Sequence, residues 1–515
     1  MRLPAMLLVL LLPCCRAPGT ADGGAPSPAD GAWRSSLYPA DWTPAFTDDA
    51  GRFLHDFSYA GYARGEREPV LPARVLRVDN DGGDMTAGVQ AALDEASRDG
   101  GVVQLGPGDW RLDGALTVSG SGVVLRGAGP ATRLRFTRTF GLDSTSHVQL
   151  GRAPGFAGEW PLAADASPRA LEVLVGVGDA GPVQPGDEVA LGHVITDAFI
   201  AAHGMTGVWR AFNGTWQPFE WRTVLGVTAD GRVTLDVPVR SPLLVRDSAS
   251  LRRVTGLVRE VGVESLWLTD AIDPGAAYAM NQVHLVGLTG VVDGFVRDVR
   301  SFSDDGGAHL QSGGVVVLQS KRVTVSDSVL GRAQHRGSGG NGYLFEVRQS
   351  SDVLFRDCQA HDGRHNFIQN WGFGTTGVVW LRVTSEGGFA TSTPGGTQGG
   401  VGYSEFHHSL ATANLVDSSR FDDGFSIVNR GAESTGAGHT GTQSVLWNVS
   451  GTGLVRSMQW GWGAVVGTTG VTVALDEFFI ADGTKPLDLL EGLDAGASLE
   501  PPSLYEDQRR RRLGP

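Results

Sequence analysis

The order of apolar and polar residues divides most of the chain into short strands, with one helix near residue 90. Apolar residues at helical spacing begin after Thr86, a residue type that caps helices, and stop at Gly100, a residue type that ends them. The apolar side of this predicted helix consists of Val89, Leu93 and Ala96. Runs of about five mostly apolar residues follow, separated by Gly-rich turns, which is typical of short β-strands.

From residue 252 the short strands recur irregularly, every 25 to 35 residues, which indicates a solenoid of stacked coils. When these repeats are aligned, one column holds only polar residues. The column consists of Asp298, Asp327, Asp357, Arg382, Asp417 and Asn448. Adjacent coils stack about 5 Å apart, as paired strands do, so six coils form a face about 25–30 Å long. We interpret the column itself as a structural ladder rather than a site.

Residues 140–250 interrupt the solenoid pattern. Residues 183–192 and 222–244 contain strand-like stretches, and the second includes a turn typical of antiparallel strands. We predict a β-rich insertion that leans on the solenoid. Its aromatic residues either form its own small core, which we favour, or line a platform for sugar rings. These residues are Trp209, Trp216, Phe219 and Trp221.

The segment "GVQAALDEASRDGGVVQLGPGDWRLDGALTVSGSGVVLRGAG", residues 88–129, resembles the N-terminal segment of the pectate-lyase superfamily. The resemblance implies an all-β fold, a single-stranded right-handed parallel β-helix with an N-terminal capping helix. It carries no catalytic residues. Members of this superfamily mostly act on acidic polysaccharides, so the resemblance also implies a carbohydrate as the partner.

Composition and charge narrow the class of protein. Gly supplies 74 of 515 residues without a Gly-X-Y period, which excludes collagen. With 41% hydrophobic and 19% charged residues, the chain can bury a core. The net charge of −14 argues against a nucleic-acid partner. Beyond Cys15 only Cys358 remains, so no disulfide framework is expected.

The two ends of the chain resemble targeting and tail segments. A basic start and a short apolar run predict a secretory signal, cleaved after Ala21 or, as the less favoured alternative, lipid-anchored at Cys14 or Cys15. No other stretch is predicted to cross a membrane. The predicted segments are a signal peptide (1–21), a linker (22–45), the N-terminal cap and first coils (46–139), the β-rich insertion (140–250), the main coils (251–480) and a solvated C-terminal tail (481–515).

A strip of His, Arg, Asn, Gln and Trp side chains is expected beside the polar column, because equivalent positions on successive coils are spatial neighbours. Part of it, "HHSLATANLVD" (407–417), "NRGAESTGAGHTG" (429–441) and "VLWN" (445–448), resembles a pattern in uncharacterised exported β-helix proteins. That resemblance supports His407, His408, Asn429, Arg430 and His439 as a unit, and no known activity transfers with it. The sequence departs from the pattern at Ser409, Leu410 and Thr440, where aromatic residues are lost.

We predict a lyase that removes the C5 proton of a uronic acid, a reaction that needs a base and a cation for the carboxylate. His408 or His407 would be the base, and Arg430 and Arg348 would hold the carboxylate. The predicted substrate-binding residues are Asn429, Gln369, Asn370, Glu346, His365, His439, Trp371, Trp460 and Asp423.

Two alternatives stay open. "FDDGFSIVNR" and "GAGHT" are similar to the Asp-Asp and Gly-His-Gly motifs of polygalacturonases, which favours a hydrolase with paired carboxylates; Asp422 and Asp423 would equally close a turn. The second alternative is an adhesin that binds carbohydrate without catalysis.

No metal site is predicted, although Ca²⁺ could bind Asp304–Asp305 or Asp422–Asp423. The expected partner is an acidic polysaccharide, bound by a monomer.

Overall fold

The computed structural model describes residues 31–179, 181–394, 396, 399–475 and 488–514. The predicted signal peptide (1–21) and the alternative lipid anchor lie outside the described residues. Within the described part of the chain, no helix is both long and apolar enough to cross a membrane.

Successive coils stack through parallel strand pairing in two long sheets, and this confirms the predicted all-β, single-stranded right-handed parallel β-helix. The ten-stranded sheet contains Leu116–Val118, Ser146–Gly151, His284–Thr289, Gly313–Leu318, Tyr343–Arg348, His365–Gln369, Ser404–Phe406, Phe425–Ile427, Leu454–Ser457 and Thr472–Ala474. The eighteen-stranded sheet contains Val75–Val78, Gly101–Leu105, Gly108–Leu112, Val123–Arg126, Thr132–Phe136, Gly262–Thr269, Phe295–Ser301, Thr324–Ser326, Val329–Gly331, Leu354–Arg356, Gln359–His361, Val379–Leu381, Thr384–Glu386, Leu415–Asp417, Arg420–Phe421, Val445–Ser450, Ala464–Thr469 and Leu489–Glu491. Two short pairs join Val258–Arg259 to Val291–Val292 and Ala411–Thr412 to Gly441–Thr442.

Helices are few and short. The α-helices are Thr86–Asp99, Asp197–Ala202, Pro274–Tyr278, Glu433–Gly436 and Leu504–Leu513, and the 3-10 helices are Tyr62–Gly65, Gly129–Ala131, Val245–Asp247 and Gly496–Ser498. The first α-helix buries Val89, Leu93 and Ala96 against the first coils, as its pattern predicted. Thr86 is its first helical residue rather than its cap, and its hydroxyl donates to Asp84 over 2.6 Å.

The interior of the coils is apolar and continuous. Leu, Val and Phe side chains from both sheets dominate one buried cluster that runs from Met85 to Val471. Phe345 and Phe367 on adjacent coils stack with ring centroids 5.0 Å apart. Because strand side chains alternate between the two faces, the residues between these inward positions must point outward.

The predicted polar column occurs, with one correction. Its members occupy a bend with positive φ at which each coil turns. The register aligns Asp298, Asp327, Asp357, Arg382, Ser418 and Asn448, all with φ between 50° and 56°. Asp417 was wrongly included: it lies one residue earlier, pairs with Leu381 and Trp447, and is fully buried. Its carboxylate accepts from Ser503 Oγ and Tyr505 N, both at 2.8 Å.

Residues between the first coils and the main coils form a six-stranded antiparallel sheet. Its strands are Gly155–Pro161, Glu172–Leu174, Glu188–Val194, Trp216–Val227, Arg232–Leu235 and Ser250–Thr255. Trp209 and Phe219 are buried in a core that also includes Phe373 and Leu410 of the coils. Trp221 is buried as well and Trp216 is half-buried, so these predicted aromatic residues mostly pack inside or against the β-helix rather than form an exposed platform.

The C-terminal residues differ from the expected solvated tail. Residues 504–513 form a helix whose Tyr505 is buried, and Asp507 accepts a 2.8 Å hydrogen bond from the hydroxyl of Tyr38. Arg512 donates to the backbone carbonyls of Ser58 and Arg64. The two described ends of the chain thus pack together on one side of the coils.

Candidate functional site

A cleft of about 560 Å³ lies over the ten-stranded sheet. Its lining consists of Gln282, Tyr343, Arg348, Arg364, Asn370, Trp371, His407, His408 and the loop residues 338–340, 434 and 435. Two arginines and two histidines face this space, whereas none of these lining residues is an Asp or a Glu. The cleft is therefore locally basic although the whole chain carries a net charge of −14.

Strand register explains why these side chains meet. Glu346 pairs with Ile368, and Ile368 pairs with Glu405, so the two carboxylates lie on one outward column two coils apart. Two strand spacings correspond to about 9.5 Å. The next outward position on each strand is Arg348 on the first coil and His407 on the third, and both line the cleft.

Glu405 is the centre of a buried ionic cluster beneath the cleft. Its Oε1 accepts a hydrogen bond from Nδ1 of His407, and its Oε2 accepts from Arg430 Nη1 at 3.1 Å. Nε2 of His365 lies 3.5 Å from Oε1. Burial alone would raise the pKa of the Glu405 carboxyl, but His365, His407 and Arg430 outweigh burial and hold that pKa below its usual range. Glu405 is therefore a carboxylate at neutral pH.

This contact fixes the tautomer of His407. A carboxylate only accepts hydrogen bonds, so Nδ1 of His407 carries the hydrogen and Nε2 of the neutral ring keeps its lone pair. His407 lines the cleft and is only 7% exposed. An imidazole held in this way by a carboxylate can accept a proton at Nε2 and be stabilised as the imidazolium.

Glu346 forms a second ionic cluster with similar partners. Its oxygens accept from Nε of Arg348 at 2.5 Å, from Nδ2 of Asn370 at 2.8 Å and from Nε2 of His284 at 2.9 Å. Burial raises the pKa of its carboxyl, but the combined opposite effects of Arg348 and His284 lower it overall. Arg348 also donates to Gln282 Oε1 at 2.9 Å, so its guanidinium is fixed at the cleft edge.

His408 differs from His407 because both of its ring nitrogens are already used. Nδ1 lies 2.5 Å from Ser409 Oγ, and Nε2 lies 3.0 Å from the carbonyl oxygen of Ser434. Burial lowers the pKa of His408 to about 3, with a further contribution from His407. Its ring packs against Trp371 with centroids 4.5 Å apart. His408 thus belongs to the cleft wall, and no ring nitrogen remains for a substrate proton.

Several predicted residues lie outside the cleft lining. Gln369 is buried and its side chain donates to the backbone oxygen of His408 at 2.9 Å. Asn429 accepts from Gly431 N, and His439 packs against Trp460 with ring centroids 4.9 Å apart. These residues support the wall between the coils and the antiparallel unit.

The predicted Asp-Asp motif is split between two structural roles. Asp422 pairs with Arg420 at 2.9 Å and accepts from Thr452, at the surface. Asp423 is buried and accepts from Asn366, Ser385 and Gly388 N. Burial raises the pKa of Asp423 to about 6. Neither carboxylate belongs to the cleft lining.

The predicted site residues did not include Tyr343 and Arg364, which line the cleft, or Glu405, which lies beneath it. Tyr343 pairs in register with His365, which was predicted, so alignment of the preceding coil would have found it. Burial raises the pKa of Tyr343 to about 12, and the hydroxyl therefore stays protonated. Arg364, whose Nη1 donates to Gly337 O at 2.6 Å, adjoins His365 in sequence.

The pairs that were considered for Ca²⁺ have protein partners. Asp304 pairs with Arg133 at 3.0 Å and with Arg135 at 2.5 Å, and Asp305 accepts from Ser303 and Gly307 N. Among the residues that the structure describes, one group of His, Cys, Asp or Glu has closely spaced ligand atoms. It consists of His365, Glu405 and His407.

Comparisons with known proteins give likeness in fold without close relatives. No family model matches the chain, and no curated protein matches it in sequence. A tailspike of Pseudomonas phage phi297 is 13% identical over 79% of this chain, with a TM-score of 0.48, and this chain spans only 65% of that protein. The polygalacturonase of Erwinia carotovora ssp. carotovora is 10% identical over 83% of this chain and 100% of its own, with a TM-score of 0.37.

A third solved structure is the A-module of a mannuronan C-5 epimerase from Azotobacter vinelandii. It is 12% identical over 81% of this chain and 95% of its own, with a TM-score of 0.32. At these values the likenesses carry no argument about activity. Any functional conclusion must come from the cleft itself.

Proposed function

We propose that the protein is an exported polysaccharide lyase that cleaves a uronic-acid-containing polysaccharide by β-elimination in the cleft. One observation carries the proposal: Nδ1 of His407 bonds to the Glu405 carboxylate in a cleft that is lined by Arg348 and Arg364. A base with a free nitrogen and cations for a carboxylate are the two requirements of this reaction. Export rests on the predicted signal sequence.

In the proposed reaction, Nε2 of His407 takes the C5 proton of the uronic acid. The electron pair of the C5–H bond forms the C4–C5 double bond, and the C4–O4 bond breaks. Arg348 and Arg364 bind the substrate carboxylate, whose negative charge grows as the proton leaves. Glu405 stabilises the imidazolium of His407 that results.

Tyr343 supplies the proton that the departing O4 oxygen needs. Its ring centroid lies 6.4 Å from that of His407, on the same cleft. Its raised pKa of about 12 keeps the phenol protonated at neutral pH, so it can donate. The imidazolium of His407 then releases its proton to solvent and the Tyr343 phenolate takes one up, which restores the neutral base and the neutral acid.

The charge of the cleft favours a lyase over the hydrolase alternative. A hydrolase needs one carboxylic acid that is protonated and one carboxylate beside the substrate. The cleft-lining residues include no carboxyl group, and the carboxyl groups of Glu346 and Glu405 beneath them have lowered pKa values and are bonded to arginine. An anionic substrate is also the one that a basic cleft attracts.

The test is incubation with alginate, pectate and glycosaminoglycans while the absorbance of the unsaturated uronate product is followed. We expect absorbance to rise with at least one of these polymers and to remain flat with neutral glucans. Reducing ends that form without this absorbance would contradict elimination and would favour hydrolysis. Binding without any product would favour the adhesin alternative.

A further inference from the structure

Three buried side chains beneath the cleft bring ligand atoms together at one point. The atoms offered by His365, Glu405 and His407 all lie within 4.8 Å of one another, and each residue is more than nine-tenths buried. Two imidazoles and one carboxylate form a ligand set that Zn²⁺ and related ions accept, with further positions left to water. We propose that these residues bind one divalent transition-metal ion, and that the bound ion inhibits the elimination.

The hydrogen bonding of His365 is the strongest argument for this site. Its Nδ1 lies 2.6 Å from the carbonyl oxygen of Tyr403, which can only accept, so Nδ1 carries the hydrogen. In the neutral ring Nε2 then presents a lone pair, and no hydrogen-bond partner for it exists among the described residues. Nε2 lies 3.5 Å from Glu405 Oε1. A cation between these two atoms would bind a lone pair of each.

The surroundings of His365 and Glu405 also fit a metal ligand set. A backbone carbonyl on the second ring nitrogen is the usual device that orients a metal-binding histidine. Tetrahedral Zn²⁺ with bonds of about 2.0–2.1 Å separates its ligand atoms by about 3.3 Å. The 3.5 Å between His365 and Glu405 agrees with this separation, and the ion would take the place of the hydrogen that His407 now shares with Glu405.

Arg430 opposes the ion, and this limits the expected affinity. Its guanidinium bonds to Oε2 of Glu405 at 3.1 Å, which leaves Oε1 as the oxygen for the metal. The positive charge beside the site weakens binding of a second cation. His407 connects the cluster to the cleft, so an ion and its water ligands have a route of entry.

Inhibition follows from the tautomer of His407 and rests on the proposed function, whereas metal binding does not. A metal ion at Nδ1 takes the place of the hydrogen there. The one hydrogen of the neutral ring must then sit on Nε2, which no longer accepts a proton. An ion at this site would therefore remove the base without blocking the cleft.

The experiment is a titration of the EDTA-treated full chain with Co²⁺, followed by visible d–d absorption. We expect one equivalent to bind and Zn²⁺ to displace it. The variants His365→Gln and His407→Gln should weaken Co²⁺ binding by more than the roughly 10–100-fold that changes around the ligands typically cost. His361→Gln, at a part-exposed histidine outside the cluster, is the matched control and should bind Co²⁺ as the wild type does.

A second readout avoids any dependence on the folding of the variants. In wild-type protein with ¹⁵N-labelled histidines, Zn²⁺ should shift Nε2 of His365 and Nδ1 of His407 and leave the ring of His361 unchanged. Absence of Co²⁺ absorption in the wild type, or Zn²⁺ shifts at other histidines only, would overturn the site. A Co²⁺ spectrum in a protein without lyase activity on any polymer would reject the proposed function and keep the metal site. Lyase activity that Zn²⁺ at saturating concentration does not reduce would reject inhibition.

Discussion

The clusters around Glu346 and Glu405 have nearly the same composition and differ in what they offer the cleft. Each buries a glutamate on the same outward column, and each glutamate contacts a histidine and an arginine. In the first cluster the arginine, Arg348, lines the cleft and His284 does not; in the second, His407 lines it and Arg430 does not.

The difference shows that the residues around a buried glutamate do not by themselves define a functional site. Successive coils of one fold can carry the same arrangement of residues. A buried Glu that contacts one His and one Arg gives all three side chains a partner wherever this arrangement occurs. The position of each group relative to the cleft decides whether it orients a cation for the substrate or a base. We therefore assign Glu346 the positioning of Arg348, and Glu405 the positioning of His407.

The largest expected effect separates the two histidines. His407→Gln should lower kcat by about 100- to 10,000-fold, because general-base catalysis contributes that much. His284→Gln should retain most of the turnover, since His284 faces Glu346 and not the cleft. Steady-state rates on the polymer that gives the strongest absorbance rise check both variants. Comparable losses in the two variants would remove the distinction between the clusters.

The two glutamates should separate kcat from KM. Glu405→Gln removes the charge that stabilises the His407 imidazolium, and we expect kcat to fall about 100-fold with little change in KM. Glu346→Gln loosens Arg348, so KM should rise about tenfold and kcat should fall less than in Glu405→Gln. Circular dichroism must show that both variants are folded, because breaking a buried ion pair costs about 3–5 kcal/mol. The reverse pattern of kcat and KM would exchange the two roles.

Trp371 tests whether the cleft wall binds sugar. Its side chain is 39% exposed on the cleft, beside His408, and an exposed aromatic face suits a sugar ring. Trp371→Ala should raise KM about tenfold, equivalent to about 1.4 kcal/mol. Phe140→Ala, at an exposed aromatic residue outside the cleft lining, should leave KM unchanged. An unchanged KM in Trp371→Ala would place the sugar elsewhere in the cleft.

The smallest effect concerns His408 and acid stability. Burial lowers the pKa of His408 to about 3, against about 6.5 in the unfolded chain, so only the unfolded chain takes up this proton between those values. The stabilisation that the neutral ring contributes is present above pH 6.5 and is lost as the pH falls toward 3. His408→Gln should lose stability less steeply, by about 1.4 kcal/mol per pH unit between pH 6 and 4. Urea unfolding at several pH values measures both slopes, and equal slopes would contradict the assignment.

Much of the fold was predictable because its signals are local. The helix at residues 86–99 and the strands that follow it are predicted by the short-range spacing of apolar residues. This spacing can be recognised in the sequence without knowledge of the tertiary structure. The irregular repeat also predicted stacked coils. The error at Asp417 has a physical cause: its strand ends one residue later than the alignment assumed, and the residue that takes the left-handed bend is Ser418.

The site was harder to predict because the coils differ in length. Glu346 and Ile368 are 22 residues apart, whereas Ile368 and Glu405 are 37 residues apart, although each pair is in direct register. Alignment by sequence placed His407, Arg348, Asn370 and Trp371 on one strip, and all four line the cleft. The alignment does not show which of the aligned residues are buried, so residues that support the wall were grouped with residues that line the cleft.

The two neighbouring histidines show the same limit of sequence-based prediction for single residues. His407 and His408 were equal candidates in the sequence because the alternation of a strand sends one of them in each direction without saying which. Their roles depend on partners that are distant in the chain: Glu405 and Arg430 for one, and Ser434 with Trp371 for the other. Only the assembled coils supply these partners.

The packing of the two chain ends has a consequence for how the molecule comes apart. A stack of coils in which each contacts only its neighbours can lose its outermost coil first and shorten stepwise. Here Tyr38 and Tyr505 belong to one buried cluster with Leu354, Val379 and Leu415, which lie on three successive coils. This cluster, on the side of the stack, connects the three coils to both described ends of the chain. Removing residues 504–513 should therefore change a single cooperative unfolding event into a gradual loss of coils from the end of the stack.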